Sequence, residues 1–190
     1  DHSKSMVTVS LGSDFLGAEP GSVDAGRRFA LTRAIASPDA PMNRLYVVET
    51  NFTVTGSMAD HRRSVKPSEV ERFAKALTVL LAIRGVDALG PLAQSFGSMS
   101  PDPDEHALLQ AVADDLIANK GRSLVIAGAG QPPRVHALAI VINGALSNFG
   151  ATTFFGPSID PNDPPSRTSI AELAKEADSI SSLVIIGGNP

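Results

Sequence analysis

Side chains able to do covalent or metal chemistry are scarce in this sequence. It has no cysteine, so it can supply no thiolate nucleophile, disulfide, Cys-ligated metal or iron–sulfur cluster. No Gly-x-Ser-x-Gly elbow occurs, and no Ser/His/Asp set falls close enough in sequence to suggest a hydrolase. His2 and His106 have no second histidine or carboxylate at a coordinating spacing. His61, between Asp60 and two arginines, reads as a hydrogen-bonding loop residue, and His136 as a partly buried helix residue. No metal site and no catalytic residue are assigned. The stretch Gly128-Ala129-Gly130-Gln131-Pro132-Pro133 starts like a dinucleotide fingerprint but lacks its third glycine, and tight turning accounts for the glycines. The pair Asp114-Asp115 reads as part of a solvated helix face.

These residues belong to a chain of ordinary globular character. Its 190 residues are 43% hydrophobic and 19% charged, enough for one substantial core. A formal charge of −4 and a pI near 5.5 leave no electrostatic footprint for a nucleic-acid partner. The longest apolar runs, 123–129 and 183–186, fall far short of the roughly 20 residues a membrane helix needs, so no direct membrane insertion is expected. Asp1 opens without an initiator Met or signal-peptide pattern and Pro190 follows directly on a strand-like run, from which a piece of a longer chain is expected.

The order of elements predicts how loops are positioned. Met6 to Leu11 is a β-branched run ending at Gly12, as a buried parallel strand does. Ser22 to Ala36 has helical spacing, and Leu45 to Val48 is a second strand leading into Glu49-Thr50-Asn51. Lys66-Pro67-Ser68-Glu69 opens the clearest helix, with Pro tolerated at its start, Glu69 in the first turn, and Val70, Phe73, Ala74, Leu77, Leu80 and Leu81 as its apolar stripe. Gly85 stops it. The Gly-, Pro-, Ser- and Asp-rich stretch 90–104 reads as a surface loop and a subdomain boundary. A helix follows from Glu105 to Asn119, then a strand over Ser123 to Ala127 and a helix from Val135 to Ser147. The proline-rich 157–165 is a loop, Thr168 or Ser169 caps a short helix to Ala177, and Leu183 to Ile186 is the last strand. This alternation predicts an α/β, Rossmann-like parallel sheet with helices on both faces and ligand sites at the carboxyl edge.

Three stretches together resemble the molybdopterin-dinucleotide oxidoreductases. Asn43-Arg44-Leu45-Tyr46-Val47-Val48-Glu49-Thr50, Thr55-Gly56-Ser57-Met58-Ala59-Asp60-His61-Arg62 and Lys66-Pro67-Ser68-Glu69 resemble, in order and spacing, that family's module of strand, Asp-Pro-Arg, Thr-rich turn, Ala-Asp pair and helix-opening Arg-Pro-Gly. Residues 123–150 resemble its later strand and helix, and Leu183 to Pro190 its Gly-x-Asn-Pro nucleotide loop. Ser10 to Gly17, Tyr46 to Glu49, Thr55 to Arg62 and Gln131 to Leu138 are most similar to the molybdopterin-like subunit of bacterial alternative complex III, a quinol-oxidising assembly. The resemblance covers most of the chain.

It implies a domain of an exported electron-transfer complex at the periplasmic face of the inner membrane, with other subunits as partners and iron–sulfur clusters outside this segment. It also implies where a molybdopterin guanine dinucleotide would lie: against Gly12, Ser13 and Asp14, at Glu49, at Glu69, and against Gly188 and Asn189. Several of these positions depart from the family's pattern. Asp14 sets a negative charge where a phosphate-facing Asn would sit, Phe15 replaces the turn-fixing Pro, and Glu49-Thr50-Asn51 stands where Asp-Pro-Arg is expected. Glu69 could still accept a hydrogen bond, and Gly187-Gly188-Asn189-Pro190 keeps the pattern. The leading expectation is therefore a cofactor-free structural domain. Its competitors are an active oxidoreductase holding the dinucleotide across the loops after Leu11, Val48 and Ile186, and a small-molecule-binding α/β domain without redox chemistry.

Overall fold

The computed structural model describes residues 1–97, 103–156 and 170–185, which divide into two units, Asp1–Phe154 and Phe155–Pro190. The first unit is a parallel sheet of four strands, β1 (Val7–Leu11), β2 (Arg44–Glu49), β3 (His61–Ser64) and β4 (Ser123–Ala127), in the order β3-β2-β1-β4. Register pairs Val9 with Tyr46 on one side and with Val125 on the other. The α/β parallel architecture expected from the sequence is the one observed.

The alternation within β1 decides what each face of the sheet packs against. Val7, Val9 and Leu11 share one face with Tyr46, Val48 and Val125 and meet three helices, α3 (Pro67–Ile83), α5 (Pro103–Ala118) and α6 (Pro133–Ala145). Phe73, Leu77, Leu81, Val112, Leu116 and Ile142 are each fully buried there, and each such side chain stabilises the fold by about 1.5–3 kcal/mol. The other face is thinner. Leu45 and Val47 pack with Phe15 and with Phe29 of helix α1 (Ser22–Leu31). On this face β1 presents Thr8 and Ser10, buried hydroxyls that must find partners. The Asn43 amide donates to the Ser5 carbonyl (2.7 Å) and the Thr8 hydroxyl (3.1 Å), and the Ser10 hydroxyl donates to the Ser13 carbonyl (2.8 Å).

Several elements depart from the sequence reading. The first helix ends at Leu31, not Ala36. The expected loop 90–104 contains helix α4 (Gly90–Ser95) and the first residues of α5, and it lies inside the first unit. Pro91 and Pro103 sit at helix starts, where a missing N–H costs nothing, and Leu92 and Phe96 pack against the core. β3 and the short helix α2 (Val54–Ser57) arise where loop was read. Asp115 is also not merely solvated: it accepts from the Tyr46 hydroxyl (2.6 Å) and pairs with Arg44 (2.5 Å), tying α5 to β2.

The second unit contains helix α7 (Ile170–Lys175) and a 3-10 turn over Ala177–Ser179. Leu183 to Ile185 form no strand, contrary to expectation. The proline-rich loop, the helix-capping residues Thr168 and Ser169, and Gly188 and Asn189 lie outside the described residues.

Candidate functional site at the carboxyl edge of the sheet

From β1 the chain runs through α1 on the thin face to β2. From β4 it runs to α6 on the opposite face. Loops leaving two adjacent strands for opposite faces open a crevice between them, the usual ligand position in an open parallel sheet. Here that crevice lies between the loop after β1, residues 12–21, and the loop after β4, residues 128–132.

Its walls approach closely because both are glycine. Gly12 has φ of +68° and donates its N–H to the Val48 carbonyl (2.8 Å); a Cβ there would stand 2.3 Å from the Gln131 side-chain nitrogen. A Cβ on Gly128 would stand 2.0 Å from the Gly12 carbonyl oxygen, so the two backbones meet with no room for a side chain. Gly128 also opens the turn expected there, the Gln131 N–H donating to its carbonyl (2.9 Å), and its close packing on Gly12 is a second reason for glycine that the sequence reading did not give.

The donors of the crevice are held by a carboxylate that no motif singled out. Glu19 accepts from the Ser13 hydroxyl (2.7 Å), from the Asp14 N–H (3.3 Å) and, across the crevice, from the Ala129 N–H (3.2 Å). Ser13 is 1% exposed. Glu19 precedes Pro20-Gly21 with no recognisable spacing, and only the folded loop brings it back onto Ser13.

Asp14 faces away from this crevice. One of its oxygens accepts from the Thr55 N–H and hydroxyl (both 2.9 Å), the other from the Ala18 N–H (2.9 Å). The Thr55 hydroxyl in turn accepts from the Leu16 N–H (3.0 Å). Burial works against ionisation of Asp14, but these hydrogen bonds outweigh it and hold the carboxyl below its usual range. Phe15, next along, is a core residue stacked on His2 and edge-on to Phe29.

Glu49 closes the end of β2 in a similar way. It is 2% exposed and accepts from the Arg62 Nε (2.6 Å) and the Thr53 hydroxyl (2.6 Å). Thr53 caps α2 by accepting from the Gly56 N–H (3.0 Å). A Cβ on Gly56 would stand 1.9 Å from the Glu49 carboxylate, so glycine is required for this approach. Arg62 comes from β3 and lies over the Phe52 ring. Asp60 beside it forms a two-toothed pair with Arg33, and His61 stacks on Tyr46.

The structure thus gathers Gly12, Ser13 and Asp14 with the loop that Glu49 anchors, through the Asp14–Thr55 bonds. Glu69 belongs to a different arrangement: its carboxylate accepts from the Lys66 N–H (2.8 Å) and caps its own helix. Among the described residues no group of three His, Asp or Glu side chains could hold a metal ion, and no helix is long and apolar enough to cross a membrane. The site offers carboxylates in hydrogen bonds with neutral and cationic donors. No protein-family model matches this chain, and no curated protein matches it.

Proposed function

We propose that this chain is a molybdopterin-oxidoreductase-like domain of a membrane-associated quinol-oxidising complex, similar to the molybdopterin-like subunit of bacterial alternative complex III, and that it is a structural, cofactor-free domain. Family and complex rest on the resemblance of residues 10–17, 43–62, 66–69 and 131–138. The observation that carries the cofactor-free reading is the Glu19 carboxylate at the β1–β4 crevice. A dinucleotide pyrophosphate would need the donors Glu19 already holds and would bring further negative charge beside Glu19 and Asp14, at a cost that no cation among their hydrogen-bond partners in the described residues offsets. Glu49, buried and bound to Arg62 and Thr53, is likewise spent on its own loop.

In this reading the domain supplies surface for docking other subunits at the periplasmic face of the inner membrane. Quinol oxidation and electron transfer then belong to partners and to iron–sulfur domains elsewhere.

The test is molybdenum by elemental analysis and pterin fluorescence after oxidation, on the full-length protein purified from its native membrane. The expected result is neither molybdenum nor pterin, with co-purification of a quinol-oxidising complex. Stoichiometric metal and pterin would instead establish an active dinucleotide-binding oxidoreductase.

A further inference from the structure

We propose that the β1–β4 crevice is a carboxylate-binding cradle that Glu19 fills in cis, and that a small external carboxylate takes its place when Glu19 is displaced. The inference rests on the geometry of the crevice and holds whether or not the chain belongs to the proposed complex.

The cradle is preformed by backbone. Gly128 has no space for a side chain against the Gly12 carbonyl, and Gly12 has a φ of +68° that favours glycine, so the two loops come together there. Ser10 fixes the turn, its hydroxyl donating to the Ser13 carbonyl (2.8 Å) and accepting from the Ser13 N–H (3.1 Å). The Ser13 hydroxyl and the Asp14 and Ala129 N–H groups then converge on one carboxylate from two loops more than a hundred residues apart in sequence. Only the Glu19 side chain is dispensable to this frame, because the Ser10–Ser13 bonds and the glycine contact do not pass through it.

The chemistry favours a carboxylate over a phosphate. All three donors are neutral, Glu19 forms no ion pair among the described residues, and the ionised Asp14 is adjacent in the chain. Three neutral donors suit a single delocalised charge, and a dianion would lack compensation there. An intramolecular occupant that must leave first weakens external binding by the fraction of time the cradle stands open.

The probe is sodium formate, titrated into the wild-type chain, Glu19→Ala and Glu19→Gln against sodium chloride and inorganic phosphate at matched ionic strength. The readouts are the amide shifts of Asp14 and Ala129 and the melting temperature. In Glu19→Ala, formate should move both amides saturably and raise the melting temperature beyond the chloride control. The wild type should need about 10- to 100-fold more formate, the factor expected if the closed arrangement is populated at about 90–99%. Glu19→Gln, which keeps the side-chain shape and gives up the charge, should respond between the two, and keeps the test open if Glu19→Ala does not fold. A folded variant whose amides ignore formate would overturn the proposal. So would equal response by the wild type, or preference for phosphate over formate.

Discussion

Two carboxylates close the carboxyl edge of this sheet, and they do so under opposite electrostatic conditions. Glu49 is buried, bound by the Arg62 guanidinium and the Thr53 hydroxyl, and wedged against Gly56. Glu19 is half-buried and held by one hydroxyl and two backbone N–H groups, with no cation among the described residues. A buried charge with one charged partner cannot lose that partner cheaply, because the remaining ion stays desolvated. A half-buried carboxylate released from neutral donors is taken up by water and leaves no ion stranded behind it. The comparison separates a fixed strut at the end of β2 from a removable closure in the loop after β1, although both are glutamates at the same edge of the sheet.

The largest break in this contrast is Arg62→Ala, which strands the Glu49 carboxylate. It should cost about 3–5 kcal/mol in urea unfolding, the range for losing one member of a buried pair, reduced toward the lower end because Arg62 is partly exposed. Next comes Gly128→Ala, where the new Cβ meets the Gly12 carbonyl and the loops must part. About 1–3 kcal/mol is expected, with loss of the Ala129–Glu19 bond read from hydrogen exchange at Ala129. Glu19→Ala should cost about 1–2 kcal/mol, since the Ala129 N–H it releases is exposed while the Ser13 hydroxyl is buried. If it cost as much as Arg62→Ala, the distinction between strut and closure would collapse.

Acid sharpens the comparison. The Asp14 carboxyl, held below its usual range by Thr55 and Ala18 despite the opposing effect of burial, stabilises the fold above its unfolded value of about 3.9 and loses that contribution as pH falls through the lower folded value. Asp14→Asn should therefore flatten the wild-type decline in stability below about pH 4. The smallest effect is spectroscopic. Tyr46 is the only tyrosine, and burial first, then its bond to Asp115, pushes its hydroxyl up to about 12. Its phenolate absorbance should appear near that value in the folded chain and near 10 in urea. A midpoint near 10 in the folded chain would contradict the Tyr46–Asp115 contact.

The strands β1, β2 and β4 and the helices α3, α5 and α6 were legible because their signals are local. Val7 to Leu11 is a buried strand rich in β-branched residues, Ser123 to Ala127 is a short apolar run whose first three residues are buried, and the stripe from Val70 to Leu81 has the helical period. β3 was not legible: His61-Arg62-Arg63-Ser64 has no apolar alternation, because an edge strand needs only a partner backbone on one side, and charged residues there are ordinary. Helix α4 was hidden by its Gly-Pro start, and its placement depends on Leu92 and Phe96 finding the core.

The candidate site divides along the same line. Sequence alone located the loops at Gly12 and Glu49 and the aspartate that departs from the nucleotide-loop pattern, because each sits at the end of a readable strand. It did not reveal that Asp14 faces Thr55, that Glu49 pairs with Arg62, or that Glu19 reaches Ala129. Those pairings join residues from separate loops, and which loops meet is set by strand order and by the opposite faces taken by α1 and α6. Local sequence determined the strands and helices with strong periodic signals; only the assembled sheet decided which charges their loops would share.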